Sequence, residues 1–192
     1  MAIPNTLPII EFLSAKSFDI WLQKNHKSSI GIWIKIFKKE SGKKTITYPE
    51  ALDVALCYGW IDSQKQSFDK QAWLQKFSPR KAKSIWSKIN IGHVERLINE
   101  GKMKPEGLDA VEKAKADGRW EKAYDSPSKM SVPEDFLNEL RKNKKATEFY
   151  KGLNKSYLYS IAFRLHTAKK EETREKRIKE IITKLANGEK LQ

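Results

Sequence analysis

Residues 30–39 read "IGIWIKIFKK". Ile30, Ile32, Ile34 and Ile36 fall on one side of an extended chain, with Trp33 and Phe37 on the other. A repeat of two belongs to a strand, and bulk on both faces predicts a central one. The neighbouring segments supply its partners. Upstream, Ser14 is placed to cap a helix running to about Asn25, with Phe18, Trp21 and Leu22 on its inner face. Downstream, "SGKK" turns the chain, and Thr47-Tyr48-Pro49-Glu50 has the hydroxyl and carboxylate spacing of a capping box. Its helix buries Leu52, Ala55, Leu56 and Cys57 and stops at Gly59.

The next stretch, "GWIDSQKQSFD" at residues 59–69, reads as extended although little of it is apolar. One face carries Asp62, Gln64 and Gln66, the other Ser63, Lys65 and Ser67. Two readings stand side by side: an exposed edge strand kept from other sheets by its polarity, or the wall of a wet cleft. In the cleft, the Asp62 carboxylate would pair with Arg80 or Lys88. A turn near Asp69-Lys70 leads into "QAWLQKFSP", and the resulting hairpin joins the isoleucine strand. A helix with Val94, Leu97 and Ile98 in register ends at Gly101, and Pro105 opens another that ends at Gly118. "YDSPSKMSVPED" reads as a linker, with Ser131 and Glu134 spaced as a second capping box. Beyond it the chain is helical, and Ile178, Ile181, Ile182 and Leu185 form one stripe of the last helix. The fold class is α+β: a small antiparallel sheet packed with helices over residues 1–125, then an all-helical subdomain over 126–192.

Composition narrows the function classes. Hydrophobic residues are 39% and charged residues 32% of 192, the balance of a globular chain. No apolar run approaches the ~20 residues that span a bilayer. The first residues lack the basic start of a secretory signal, so a cytoplasmic location is expected. A single cysteine, Cys57, excludes an intrachain disulfide and a cysteine-based zinc cluster. A formal charge of +14 favours anionic partners. Residues 141–192 hold fifteen basic and six acidic side chains, which brings nucleic acid into consideration.

Motifs for chemistry are sparse. His26, His93 and His166 have no paired ligand spacing, so no metal is expected, and surface or capping roles suit them. His166 reads as a partly buried, hydrogen-bonded histidine. No nucleophile elbow, Walker loop or dinucleotide fingerprint occurs, and no cofactor is called for. Cys57, between Leu56 and Tyr58 on a helix, reads as a small buried side chain. The segment from Lys70 to Val94 stands apart. It carries Lys70, Lys76, Arg80, Lys81, Lys83 and Lys88 with no acidic residue, interleaved with Trp73, Phe77 and Trp86 and with Ser78, Ser84 and Ser87. Cations, aromatic faces and hydroxyls together can hold a phosphate, a nucleotide or a single strand. The same pattern also arises when tryptophans are core and lysines are solvated.

The words "TYPEALDVALCYGWIDSQ", "FSPRKAKSIWSKIN", "HVERLINEGKM", "AKADGRW" and "AKKEETREKRIKEIITKLANGE" together resemble the YdeI/OmpD-associated family, also labelled bacteriocin-protection proteins. The resemblance implies a small α+β N-terminal region similar in outline to the YdhG iron-chaperone-like fold, followed by a helical module. It implies no agreed reaction or cofactor. Matching positions are Tyr48, Glu50, Gly59, Trp60, Asp62 and Gln64 in the first block, and Arg80, Ser84, Trp86, Ser87, Lys88 and Asn90 in the second. From these, the expected ligand-binding residues are Trp60, Asp62, Gln64, Arg80, Ser84, Trp86, Ser87 and Lys88, lining a pocket for a small anionic ligand. The expected class is a non-enzymatic cytosolic binding protein linked to antimicrobial-peptide protection. Two alternatives stand beside it: a nucleic-acid accessory protein using the basic C-terminal helices, and an enzyme with Asp62 as acid or base.

Overall fold

The computed structural model describes residues 7–126, 129–168 and 170–190. Two compact units emerge, one from the chain up to Trp86 with Asn90–Lys122, the other from Ser87–Ile89 with the chain from Ala123 onward.

The first unit holds strands β1 (Ile9–Glu11), β2 (Ile32–Phe37), β3 (Trp60–Ser67) and β4 (Ala72–Pro79). Its helices are α1 (Ala15–Asn25), α2 (Tyr48–Cys57), most of α3 (Lys88–Asn99) and α4 (Pro105–Ala116). The sheet order is β1-β2-β4-β3. As expected, the isoleucine strand is interior and the β3–β4 hairpin joins it antiparallel. The sheet is mixed rather than wholly antiparallel, because β1 adds in parallel with Ile9 opposite Trp33. Three residues are too few to show a period, which is why β1 was not legible. Ile30 is another difference: it lies before the strand and is 72% exposed.

The two faces of the sheet differ. Ile32 opposite Phe77 and Ile34 opposite Gln75 share the inner face, where Phe18 of α1 meets Phe77 at 5.8 Å between ring centroids. Ser14 Oγ accepts from the Ser17 amide and starts α1, burying Phe18 and Leu22. The Thr47–Glu50 capping box forms, with the Thr47 amide donating to Glu50 Oε2 at 2.8 Å. Those hydrogen bonds hold the Glu50 carboxyl below its usual range. α2 ends where Gly59 takes a φ of 70°, and α4 packs closely on that end. A Cβ on Gly107 would lie 2.3 Å from the Cys57 carbonyl oxygen, so only glycine allows this approach.

The second unit packs α5 (Glu134–Arg141), α6 (Lys144–Lys151), α7 (Lys155–His166) and α8 (Glu171–Ala186). Their apolar stripes meet in a core of Phe136, Leu140, Ala146, Ile161, Leu165, Ile178, Ile181 and Leu185, with Ile182 partly buried beside it. The expected Ser131–Glu134 box is absent. Pro133 is the N-cap of α5 with no side-chain cap bond, since helical geometry begins two residues too late for Ser131 to cap it. The Ser131 carbonyl instead lies 3.1 Å from His166 Nε2, and His166 is exposed rather than partly buried. α8 also departs from a purely solvated basic surface. Arg174 donates to both oxygens of Asp135 and to the Leu165 carbonyl, and Arg177 donates to the Arg164 carbonyl. Two arginines of α8 thus add donors to carbonyls in the last turn of α7, where Leu165 O also accepts the Ala168 amide.

Candidate functional site

Asp62 and Gln64 lie on β3, which among the described residues hydrogen-bonds only to β4 and is therefore an edge strand. A register shift between Asp62 and Lys65 interrupts the ladder there. This irregularity, with exposed Gln64, Lys65, Gln66 and Ser67, is how an edge avoids pairing with other sheets. Asp62 is half-buried opposite Phe77, and Tyr48 Oη donates to its Oδ2 at 2.9 Å. The Tyr48 ring meets Trp73 at 6.1 Å, and Lys65 Nζ lies 4.2 Å from the centre of the Trp73 ring. The start of α2 therefore gives Asp62 its neutral hydrogen-bond donor, whereas the sequence suggested Arg80 or Lys88.

Trp60 belongs to the core. It is 1% exposed, edge-on to Trp21 at 5.9 Å, and its Nε1 donates to the His26 carbonyl. Behind it, Glu106 at the first turn of α4 lies 3.1 Å from both Lys27 Nζ and His26 Nε2. Its own backbone amide, Lys27 and His26 hold its carboxyl down at about 2. Burial, helped by the charge of Asp53, pushes the Cys57 thiol up to about 11, as befits an inert packed cysteine.

The basic and aromatic groups converge in the connection after β4. The Arg80 guanidinium carbon lies 3.6 Å from the centre of the Trp86 ring, and Arg80 Nη1 donates to the Ile85 carbonyl. Trp86 is 2% exposed and meets Trp120 at 5.0 Å between centroids. Arg119 follows α4, donates through Nη1 to the Ser84 carbonyl at 2.8 Å and binds Asp117 through Nε. Ser84 Oγ accepts from the Lys81 amide, closing the turn that carries Arg80 and Trp86. Lys115 Nζ stands 5.7 Å from the Trp120 ring. Arg80, Ser84 and Trp86 are thus brought together, joined by Arg119 and Trp120. The latter pair went unread as site residues although "DGRW" signals a basic-aromatic step just past a helix end. Ser87 and Lys88 belong to the second unit, where Ser87 bridges Tyr124 and Lys88 Nζ pairs with Asp125 at 2.9 Å.

Among the described residues, no three His, Cys, Asp or Glu side chains gather as a metal site, and no helix is long and apolar enough to cross a membrane. Fold and cluster together define an α+β protein whose first unit carries stacked arginine and tryptophan and whose second is a helical module. Residues 10–110, more than half of the chain, match the family described as a domain of unknown function (DUF8412). Residues 129–188 match the family described as bacteriocin-protection, YdeI or OmpD-associated. The chain belongs to the first family and carries the YdeI/OmpD-associated domain in its helical region, in agreement with the resemblance of its motifs. Comparison with curated proteins and with solved structures gives no match.

Proposed function

We propose that this is a non-enzymatic cytosolic protein that binds a small anionic ligand at Arg80, Ser84 and Trp86, with Arg119 and Trp120 completing the site. One observation carries the reading: the Arg80 guanidinium is stacked on the buried Trp86 indole at 3.6 Å. A planar guanidinium held on a ring has already lost much of its rotamer freedom. The stacked charge is then already fixed in place for a carboxylate or phosphate, at reduced entropic cost. Arg119 brings a second guanidinium to the same turn through Ser84. The name of the family matched by the helical region supports a role in bacteriocin protection, with the ligand as its signal or cargo. Trp60 supports the strand from the core, and Asp62 with Gln64 marks its polar edge. Ser87 and Lys88 belong to the second unit and are not part of this proposed site.

A thermal-shift series with inorganic phosphate, nucleotides and sugar phosphates tests the site. A ligand at a hundredfold excess over Kd stabilises by about 2.7 kcal/mol, a shift of several degrees. Arg80→Lys is the informative variant, because it keeps the charge and loses the planar stack. Arg80→Ala would also uncover Trp86 and lower the melting temperature of the free protein. The expected result is a ligand shift in the wild type that Arg80→Lys reduces to near zero. Equal shifts in both proteins would place the ligand elsewhere.

A further inference from the structure

Helices α1 and α2 contact the sheet through its inner face: Phe18 meets Phe77, and Tyr48 meets Trp73 and Asp62. The register puts different residues on the other face. Trp33 lies opposite Ile9 and Lys76, Lys35 opposite Glu11 and Leu74, and Phe37 opposite Ala72. Their contacts stay on that face. Lys35 Nζ sits 4.8 Å from the Phe37 ring centre and 4.7 Å from that of Phe68, and it pairs with Glu11 at 2.9 Å. Lys43 Nζ lies 4.8 Å from the Phe37 ring. Trp33 and Phe37 are part-exposed, while Phe68 and Ile9 are about half exposed, at 48% and 50%.

We propose that this outer sheet face, with Trp33 and Phe37 as stacking platforms and Lys43 and Lys76 as phosphate partners, binds single-stranded nucleic acid. The charges at its margin favour a polyanion. Lys38 and Lys39 follow β2 and Lys70 precedes β4, with Lys38 Nζ donating to the Lys70 carbonyl at 3.0 Å. Of the nearby carboxylates, Glu11 is held by Lys35, Asp69 accepts the Gln71 and Ala72 amides at 2.7 Å, and Glu40 lies in the turn after β2. Trp33 and Phe37 are four residues apart on one strand, about 13 Å, so two unstacked bases of an extended strand can reach them together. Base stacking on exposed rings tolerates sequence, and lysines beside the rings neutralise the backbone. On binding, a base takes the place of the exposed Lys43 ammonium on Phe37, which is then available to a phosphate. A second copy is a poor occupant, since it would set these lysines against one another. A bilayer is also disfavoured, because its wedge must protrude and Trp33 is partly buried in the pleat.

The proposal is independent of the Arg80 site, and the full chain tests it. Labelled oligothymidylate and oligouridylate are titrated at low salt and at ~150 mM, alongside a duplex and anionic phosphatidylglycerol vesicles. The expected result is saturable binding of the single strands, at least tenfold tighter than the duplex, with quenching of tryptophan emission. Trp33→Ala should weaken it about five- to a hundredfold, while Trp33→Phe keeps most of it. Lys76→Glu should weaken binding and flatten its salt dependence, with an unchanged circular dichroism spectrum confirming the fold. Equal affinity for duplex and single strand overturns the proposal. So does binding confined to vesicles, or loss on removing residues 170–192 with no effect of Trp33→Ala.

Discussion

Cys57 shows how local environment fixes the character of a side chain. It is 6% exposed near the end of α2, and burial with the neighbouring Asp53 carboxylate raises its pKa from 9.0 to about 11. A shift of that size leaves about a hundredfold less thiolate at neutral pH. We expect iodoacetamide to label the native protein at least ~100-fold more slowly than the urea-unfolded chain. Rapid native labelling, followed by mass spectrometry, would contradict the packed assignment. At this scale, part of the candidate site was legible. Arg80, Ser84 and Trp86 stand close in sequence, so one turn can bring them together. Arg119 reaches Ser84 from 35 residues away, and no periodicity reports a contact between two chain ends of different elements. The donor to Asp62 was hidden for a related reason. Tyr48 is set by the capping box at the start of α2, and only packing of that helix on β3 brings its hydroxyl within 2.9 Å.

The junction of α2 and α4 is where an element depends on a missing side chain. Cys57 O accepts the Lys104 amide at 3.0 Å, and Gly107 passes so close that an added Cβ would fall 2.3 Å from that oxygen. Gly107→Ala should therefore cost about 1–3 kcal/mol despite the better helix propensity of alanine. Gly92→Ala in α3 is the control, since nothing lies within 4 Å of the added carbon, and it should be neutral or stabilising by up to ~1 kcal/mol. Urea melts of both variants decide the matter, and equal effects would count against close packing at Gly107. Elements with long periods were legible: β2 by alternation, α1 and α2 by their caps, α8 by its stripe. The missing Ser131 cap and the short β1 were not, because three or four residues carry a spacing that chance also produces. The arginines of α8 illustrate a third limit. Arg174 and Arg177 look solvated on a helical wheel, yet they close the last turn of α7.

For the whole chain, charge decides how stability responds to acid. The 38 Lys and Arg already outnumber the 24 Asp and Glu, so protonating carboxylates leaves a growing positive charge that opposes compactness. Most ion pairs are exposed and contribute little individually. Glu106 differs because its own backbone amide, Lys27 and His26 lower its pKa from 4.5 to about 2. A carboxyl whose folded pKa is depressed adds stability above the unfolded value and loses it as pH falls towards the folded one. The window for Glu106 therefore runs from pH 4.5 down to about 2. Asp135, lowered chiefly by Arg174, acts in the same direction in the helical unit. Glu106→Gln should be less stable than the wild type at neutral pH, and the gap should narrow as pH falls through that window. Added salt should raise stability in acid for both proteins by screening the unopposed lysines and arginines. Urea melts at neutral pH and at two acidic values, with and without salt, measure both effects. A stability gap that stays constant from neutral pH down to about 2 would mean that Glu106 carries no pH-dependent share of the fold.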